Sequence, residues 1–270
     1  MAKVERDTDV GGEASDPSPG PAKPRAINLA TKRQLKRSET IARDLAEYIV
    51  ESQLPAGAML PREKDMVEQL GVGRTTLREA LRILETRGVL TIRSGPGGGP
   101  VVRHPQPNDL SESLTLILQF QRATMIEVLD ARILLEASAA RLAASHITTA
   151  EIARLRAINS ELEGDDVSTE AGMDANERFH RIIGSTTGNV VIQIFLETLL
   201  AVADSGADEF RHTRAFRETV VEGHNEIIDA LEARDPDGAA DAMARHVSAG
   251  KRGRIEQNRD LMSRSLRWVQ

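Results

Sequence analysis

LPREKDMVEQLGVGRTTLREALRILETRGVLTIRSGPGGGPVV, running from Leu60 to Val102, is the stretch that decides the fold. It reads as a short helix, a turn at Gly71-Val72-Gly73, a second helix carrying arginines, and a hairpin with a glycine-rich tip. That order of parts is a winged helix-turn-helix and points to a DNA reader. In the second helix, Leu77, Leu81 and Leu84 recur at helical spacing with Ala80 beside them, which makes one apolar face. Arg74, Arg78 and Arg82 recur every four residues and form a separate stripe. The leucines can seat the helix on its own domain while the arginines enter a major groove, pairing with guanine edges or clamping phosphates. Thr75 and Thr76 lie at the N-terminal end, which usually meets the bases in this motif. An amphipathic surface helix with a solvated basic face would show the same spacing, so the neighbouring segments carry weight.

Upstream, Ile41, Leu45, Tyr48 and Ile49 mark a first helix able to pack behind the pair. Downstream, Val89 to Arg93 and Val101 to Arg103 are short β-prone runs joined by Ser94-Gly95-Pro96-Gly97-Gly98-Gly99-Pro100; behind a helix-turn-helix, this glycine run reads as the wing. Glycine permits the positive φ of a tight tip and a close approach to phosphate.

The segment resembles the winged domain of the GntR transcription regulators. The resemblance rests on Leu60, Pro61, Glu63, Lys64, Met66, Gly71, Val72, Arg74, Leu77, Arg78, Glu79, Ala80, Leu81, Leu84 and Gly88. The run Arg74 to Glu79 is similar to the FadR branch, and that likeness implies DNA contacts from Lys64, Arg74, Arg78 and the wing tip Ser94-Gly95. The branch's namesake carries arginine and histidine where this chain has Lys64 and Ser94. Lysine lacks arginine's planar fork, so the mode of binding carries over and the operator sequence does not.

The chain has 270 residues, room for two domains with real cores. It has no cysteine, so it holds no disulfide framework or thiolate metal site and suits a reducing cytoplasm. Its start lacks the apolar core of a signal peptide. Its longest apolar run, Val190 to Ala203, is interrupted by Gln193, Glu197 and Thr198, which argues against a membrane span. The net charge of −6 is unevenly placed. Residues 23–104 hold 15 lysines and arginines against 9 acids, a balance of +6, and the remainder sums to −12. Positive charge thus sits with the proposed reading head, where phosphates would meet it.

Residues 1–33 are poor in apolar side chains and read as a disordered tail, basic toward its end through Lys23, Arg25, Lys32 and Arg33. The winged domain is expected over 34–104 and a linker over 105–108, with Asn108 or Asp109 capping the next helix. From 109 to 258 the pattern predicts helices without strands, an antiparallel bundle, followed by a C-terminal tail over 259–270. The fold class is therefore mainly α. Met125 to Ala144 places Ile126, Leu129, Ile133 and Leu134 on a common face, and breaks are expected at Gly184-Ser185 and Asp235-Pro236-Asp237-Gly238.

Asn176 and His180 are four apart and share a helix face. His224 and His246 stand eleven residues before and after Asp235, so in a helical hairpin turning there they lie at one height. Three imidazoles and an amide oxygen can then converge, a set suited to zinc and other divalent ions. Separate histidines, each satisfied in core or surface, are the plainer alternative.

Residues 109–250 resemble the FCD domain that follows the reading head in FadR-type regulators. The matching pieces are Asp130-x-Arg132-x3-Glu136, Asn176-x3-His180, Gly188-Asn189, His224-x2-Ile227 and Arg245-His246. The likeness implies a divalent cation, usually zinc, on Asn176, His180, His224 and His246. It also implies a small carboxylate effector beside the metal and Arg132 as its partner; a surface ion pair of Arg132 with Asp130 or Glu136 is the plainer reading of that spacing. The usual first ligand is aspartate, and Asn176 departs from it; Glu177 is a competing donor. The implied protein is a homodimeric repressor, cytoplasmic and free of the membrane. It would read a palindromic double-stranded operator and release it when a small organic acid binds. Two alternatives are an acyl-CoA-responsive regulator without metal and a metal-dependent hydrolase. For the hydrolase the sequence offers no HExxH and no nucleophile-base set.

Overall fold

A computed structural model of the chain describes residues 29–95, 97–164, 166–204 and 213–267. Helix α1 (Leu29–Glu51) turns Ile41, Ala42, Leu45 and Ile49 onto one buried stripe against α3 (Arg74–Thr86). Tyr48, expected in that stripe, is half exposed, beyond the face that the head's core covers. Part of the tail expected over 1–33 is helical from Leu29: lysine, arginine and glutamine propagate a helix well beyond its packed stripe. Lys23 and Arg25 lie outside the described residues.

Between α2 (Glu63–Leu70) and α3, Gly71 takes φ 59° and closes α2 in the left-handed conformation, a cap that glycine adopts without strain. Leu77, Ala80, Leu81 and Leu84 are buried on one side of α3. They join Ile41, Leu45, Met66 and Val72 in the core of the head. β1 (Leu90–Arg93) and β2 (Gly99–Val102) pair antiparallel, Leu90 opposite Val102 and Arg93 opposite Gly99. Glu85 of α3 accepts a hydrogen bond from the Ile92 amide at 2.9 Å, tying the wing to the second reading helix.

The chain then enters α4 (Pro107–Phe120), α5 (Met125–His146), α6 (Thr149–Glu161), α7 (Thr169–Ser185), α8 (Val190–Asp204), α9 (Arg214–Glu232) and α10 (Pro236–Gln257). Several starts are written in side-chain caps: Thr124 with Glu127 and Thr148 with Glu151 form reciprocal capping boxes. The α5, α9 and α10 helices pack on one another, α6 and α7 flank them, and α8 lies against α4, α5 and α7. Ile147, Leu155, Phe179, Ile183, Ile227, Ile228 and Leu231 are almost wholly buried at the centre.

Several boundaries differ from expectation. The linker is shorter than 105–108 because α4 begins at Pro107. Its cap is Gln106, with Asp109 in the third helical position accepting from the Gln106 amide at 2.7 Å; proline is preorganised for the first helical position and moves the start forward. α7 ends at Ser185, at the break expected over Gly184-Ser185, with Gly184 in its last turn. A Cβ there would stand 2.7 Å from the Leu196 side chain, so the glycine serves close packing of α8. Gly238 lies inside α10, its amide capped by Asp235 at 3.0 Å. Leu134 points away from the core and is 73% exposed. The expected C-terminal tail is packed as far as residue 267: α11 (Arg259–Ser263) buries Met262, and the Leu266 amide donates to the Ala123 carbonyl at 2.9 Å. Both side chains join Met125, Leu129 and Val202 in a small core.

Candidate metal centre and nucleic-acid interface

In the head, Lys64, Arg74, Thr75, Arg78, Arg82, Ser94 and Gly95 are all exposed, and Thr76 is partly so. The arginine stripe of α3 lies away from its buried leucines, and the hairpin tip turns at Gly95 with φ 96°. Arg78 donates through Nε to Glu63 at 2.9 Å, which steadies a long side chain on the face that a duplex would meet.

The bundle brings the histidines together. α7 delivers His180, α9 His224 and α10 His246, each almost wholly buried. One ligand nitrogen from each lies within 4.8 Å of the others. Equal spacing about Asp235 works as the sequence indicates: the His224 and His246 ring centroids are 4.6 Å apart. Nε2 of His246 faces Nε2 of His180 at 3.3 Å. Two imidazoles sharing a tetrahedral ion stand about 3.3–3.4 Å apart, given zinc–nitrogen bonds of about 2.0–2.1 Å.

The outer nitrogens of His224 and His180 are engaged. Asn159 Oδ1 lies 3.0 Å from Nδ1 of His224, and its amide donates to Asn225 Oδ1 at 2.9 Å and to the Val221 carbonyl at 3.3 Å. With its NH2 group turned outward, Asn159 accepts from His224. Nε2 of His224 is thereby left as a lone pair, buried and without a hydrogen-bond partner. The Glu136 carboxylate contacts Nδ1 of His180 and accepts from Arg132 Nε at 2.7 Å. Phe179 stacks flat on His224, centroids 3.6 Å apart. Inner lone pairs with outer nitrogens held by oxygen are the donor chemistry of a metal site. The three histidines fit a divalent ion.

Electrostatics favour the uncharged form of His224 and His246. Burial pushes His246 down to about 3, helped by the charge of His180. Burial lowers His224 well below its ordinary value, with His246 and His180 adding to it. Burial pushes the Glu136 carboxyl up, but Arg132 and His180 outweigh it and hold it at about 2.

His180, His246 and Asn176 open onto a cavity of about 40 Å³ whose wall includes Arg132, Lys251 and Arg254; His224 stands behind it. Arg132 is 5% exposed, so its pair with Glu136 is buried and not the surface pair a helix spacing alone would allow. Asp130 is taken by Lys251. Burial, then the neighbouring Arg132, lowers Arg254 to about 10, against the pull of Asp204. Glu177, the competing donor, pairs with Arg181 instead and is absent from the cluster among the described residues. Sequence reasoning missed Asn159, Lys251 and Arg254, which no motif marks, and took Glu136 only as a partner of Arg132.

Known proteins agree with both halves. Residues 37–98 match the bacterial regulatory proteins of the gntR family, and residues 127–249 match the FCD domain. The HTH-type transcriptional regulator YcbG of Bacillus subtilis is 31% identical over 215 residues, 77% of this chain and 88% of that protein. A protein described as regulating the L-lactate dehydrogenase operon of Escherichia coli is 31% identical, covering 78% of this chain and 83% of its own length. The solved structure of a Streptococcus agalactiae GntR protein superposes with a TM-score of 0.60 at 30% identity. The match covers 80% of this chain and 99% of that one. Among the described residues no helix is long and apolar enough to cross a membrane.

Proposed function

Since the chain belongs to the GntR family of DNA-binding transcription regulators and carries an FCD effector domain, not an enzyme's active site, we propose that it is a metabolite-responsive repressor acting as a homodimer in the cytoplasm. Its helical domain holds a divalent ion, zinc first among candidates, on His180, His224, His246 and Asn176, with a small carboxylate beside it. The observation that carries this reading is the convergence of three buried imidazole nitrogens within 4.8 Å of one another, next to a cavity walled by Arg132.

Each residue has a task. Asn159 and Glu136 hold the imidazoles in orientation, with Asn159 fixing which nitrogen of His224 keeps its proton. Arg132 turns a guanidinium, steadied by Glu136, toward an arriving carboxylate. Phe179 and the surrounding apolar core exclude water. When bound, a divalent ion supplies a positive centre that attracts the acid's oxygens. A cavity of about 40 Å³ favours a small acid over an acyl-CoA, and one relative is named for an operon of L-lactate dehydrogenase. Lys64, Arg74, Thr75, Thr76, Arg78, Ser94 and Gly95 contact the operator.

Effector and operator are coupled by linkage: an acid that binds one arrangement of the helical domains better shifts the paired heads toward it. A joint is at hand where the domains meet. Asp109, at the start of α4, accepts from Arg103 at 2.8 Å and lies so close to Gly88 that a Cβ there would clash with it.

Elemental analysis of purified protein tests the metal, beside the double variant His180→Ala/His224→Ala. About one zinc or similar ion per chain, absent from the variant, is the expected result. No metal in either protein after reconstitution would overturn it and direct the search to ligands held by the bundle alone.

A further inference from the structure

The charges around the cluster are paired off before any ion arrives. Arg132 is matched by Glu136 at 2.7 Å, Lys251 by Asp130, and Arg254 interacts with the partly buried Asp204. Among the described residues the clustered donors are three histidines and no carboxylate. Asn176, which lines the cavity with His180 and His246, offers only a neutral amide. Glu136 cannot serve as the missing anion, because its oxygens are already committed to Arg132 and to the outer nitrogen of His180.

A divalent ion on these donors therefore keeps both positive charges. It does so among buried imidazoles, with Arg132 and Arg254 in the wall of the same cavity. Uncompensated charge away from water is costly. An aspartate at position 176 would cancel one charge; asparagine cancels none. The arriving acid is then the first anion able to do so.

We propose that Asn176 makes this site a coincidence detector, in which the ion is held weakly alone and firmly only together with a bound carboxylate. This rests on the metal-site reading above and adds the order of events to it. Binding free energies are reciprocal, so the acid in turn binds weakly without the ion. The regulator would respond to the product of two concentrations, not to a resident ion that merely waits for its ligand.

The test uses the full chain, stripped of metal, with acetate as the probe carboxylate. Zinc affinity is measured by competition with a chromophoric chelator at fixed pH, in chloride alone and with excess acetate, and corrected for zinc held by acetate itself. The wild-type protein is expected to bind zinc about tenfold or more tighter in acetate, and Asn176→Asp to bind about tenfold tighter than wild type in chloride with little further gain. A wild-type affinity for zinc that acetate leaves unchanged would overturn the proposal while the metal site stands. Failure of the wild-type chain to take zinc in either buffer would overturn both. Because the wild-type comparison decides, the conclusion does not depend on the variant folding.

Discussion

Two imidazoles of the triad, His224 and His246, sit where protonation is penalised, and at residue scale that sets a pH dependence. His246 is held at about 3 and His224 well below its ordinary 6.5, burial being the largest cause for both. In the unfolded chain both take up protons near 6.5, so below that value the unfolded state binds more protons than the folded one. Stability is therefore complete above about pH 6.5 and falls as pH drops toward 3, by a factor of about ten per pH unit for each histidine. Glu136, held at about 2 against its ordinary 4.5, steepens the loss below pH 4.5 in the same direction. Urea unfolding of metal-free protein at about pH 7 and about pH 5 checks this; equal midpoints would show that the buried histidines do not stay neutral. The spacing of His180, His224 and His246 was legible because helix periodicity and a turn fix it. Asn159 was not, because its contact with His224 spans 65 residues and an isolated asparagine on α6 carries no period. Glu136 was read as half of an i, i+4 pair with Arg132; its second contact, to His180 on another helix, has no trace in the local pattern.

On the scale of elements, α3 divides its labour between two faces. Leu77, Ala80, Leu81 and Leu84 bury one, and Arg74, Arg78 and Arg82 expose the other. On a duplex of random sequence every arginine contact is with phosphate, so Arg78→Ala is expected to weaken binding and to reduce the slope of log K against log salt by about one unit. Fluorescence anisotropy across a salt series measures it. An unchanged slope would mean that Glu63, 2.9 Å from Arg78, keeps the guanidinium off the backbone. The helices themselves were largely legible, since Thr124, Thr148 and Asp235 announce starts by capping and apolar periodicity runs between them. The expected breaks stand, since α7 ends at Ser185 and α10 begins at Pro236. Gly184 also makes room for Leu196, and Gly238 sits in a capped first turn, roles that no local pattern reveals. Nor does anything local reveal that Met262 and Leu266 pack against Met125 and Leu129; a short segment docks by tertiary contact alone.

For the molecule as a whole, an apolar group on α8 is exposed among the described residues. Val190, Val191, Ile194 and Phe195 of α8 are 65%, 55%, 40% and 54% exposed, and Leu134 of the adjoining α5 is 73% exposed. The two helices are locked by Ala139, Leu196 and Leu200, so these side chains share a rigid base. Exposed apolar side chains gathered on adjoining helices are what a partner surface covers. A second copy is the partner that the head calls for, because one recognition helix reads one half-site and a two-fold pair reads a palindrome. In an isologous pair the same patch faces itself, so a charge placed there is met twice. Phe195→Glu is accordingly expected to raise the dimer dissociation constant by roughly thirtyfold or more, the loss of about 2 kcal/mol typical of a central aromatic contact. Zinc content should be unchanged, because Phe195 lies outside the histidine cluster. Sedimentation equilibrium reads the constant directly. A variant as dimeric as the wild type would move the interface to the second exposed apolar group, Ile117 and Phe120 of α4. A wild-type chain that stays monomeric at micromolar concentration would instead remove the paired heads on which the coupling between acid and operator depends.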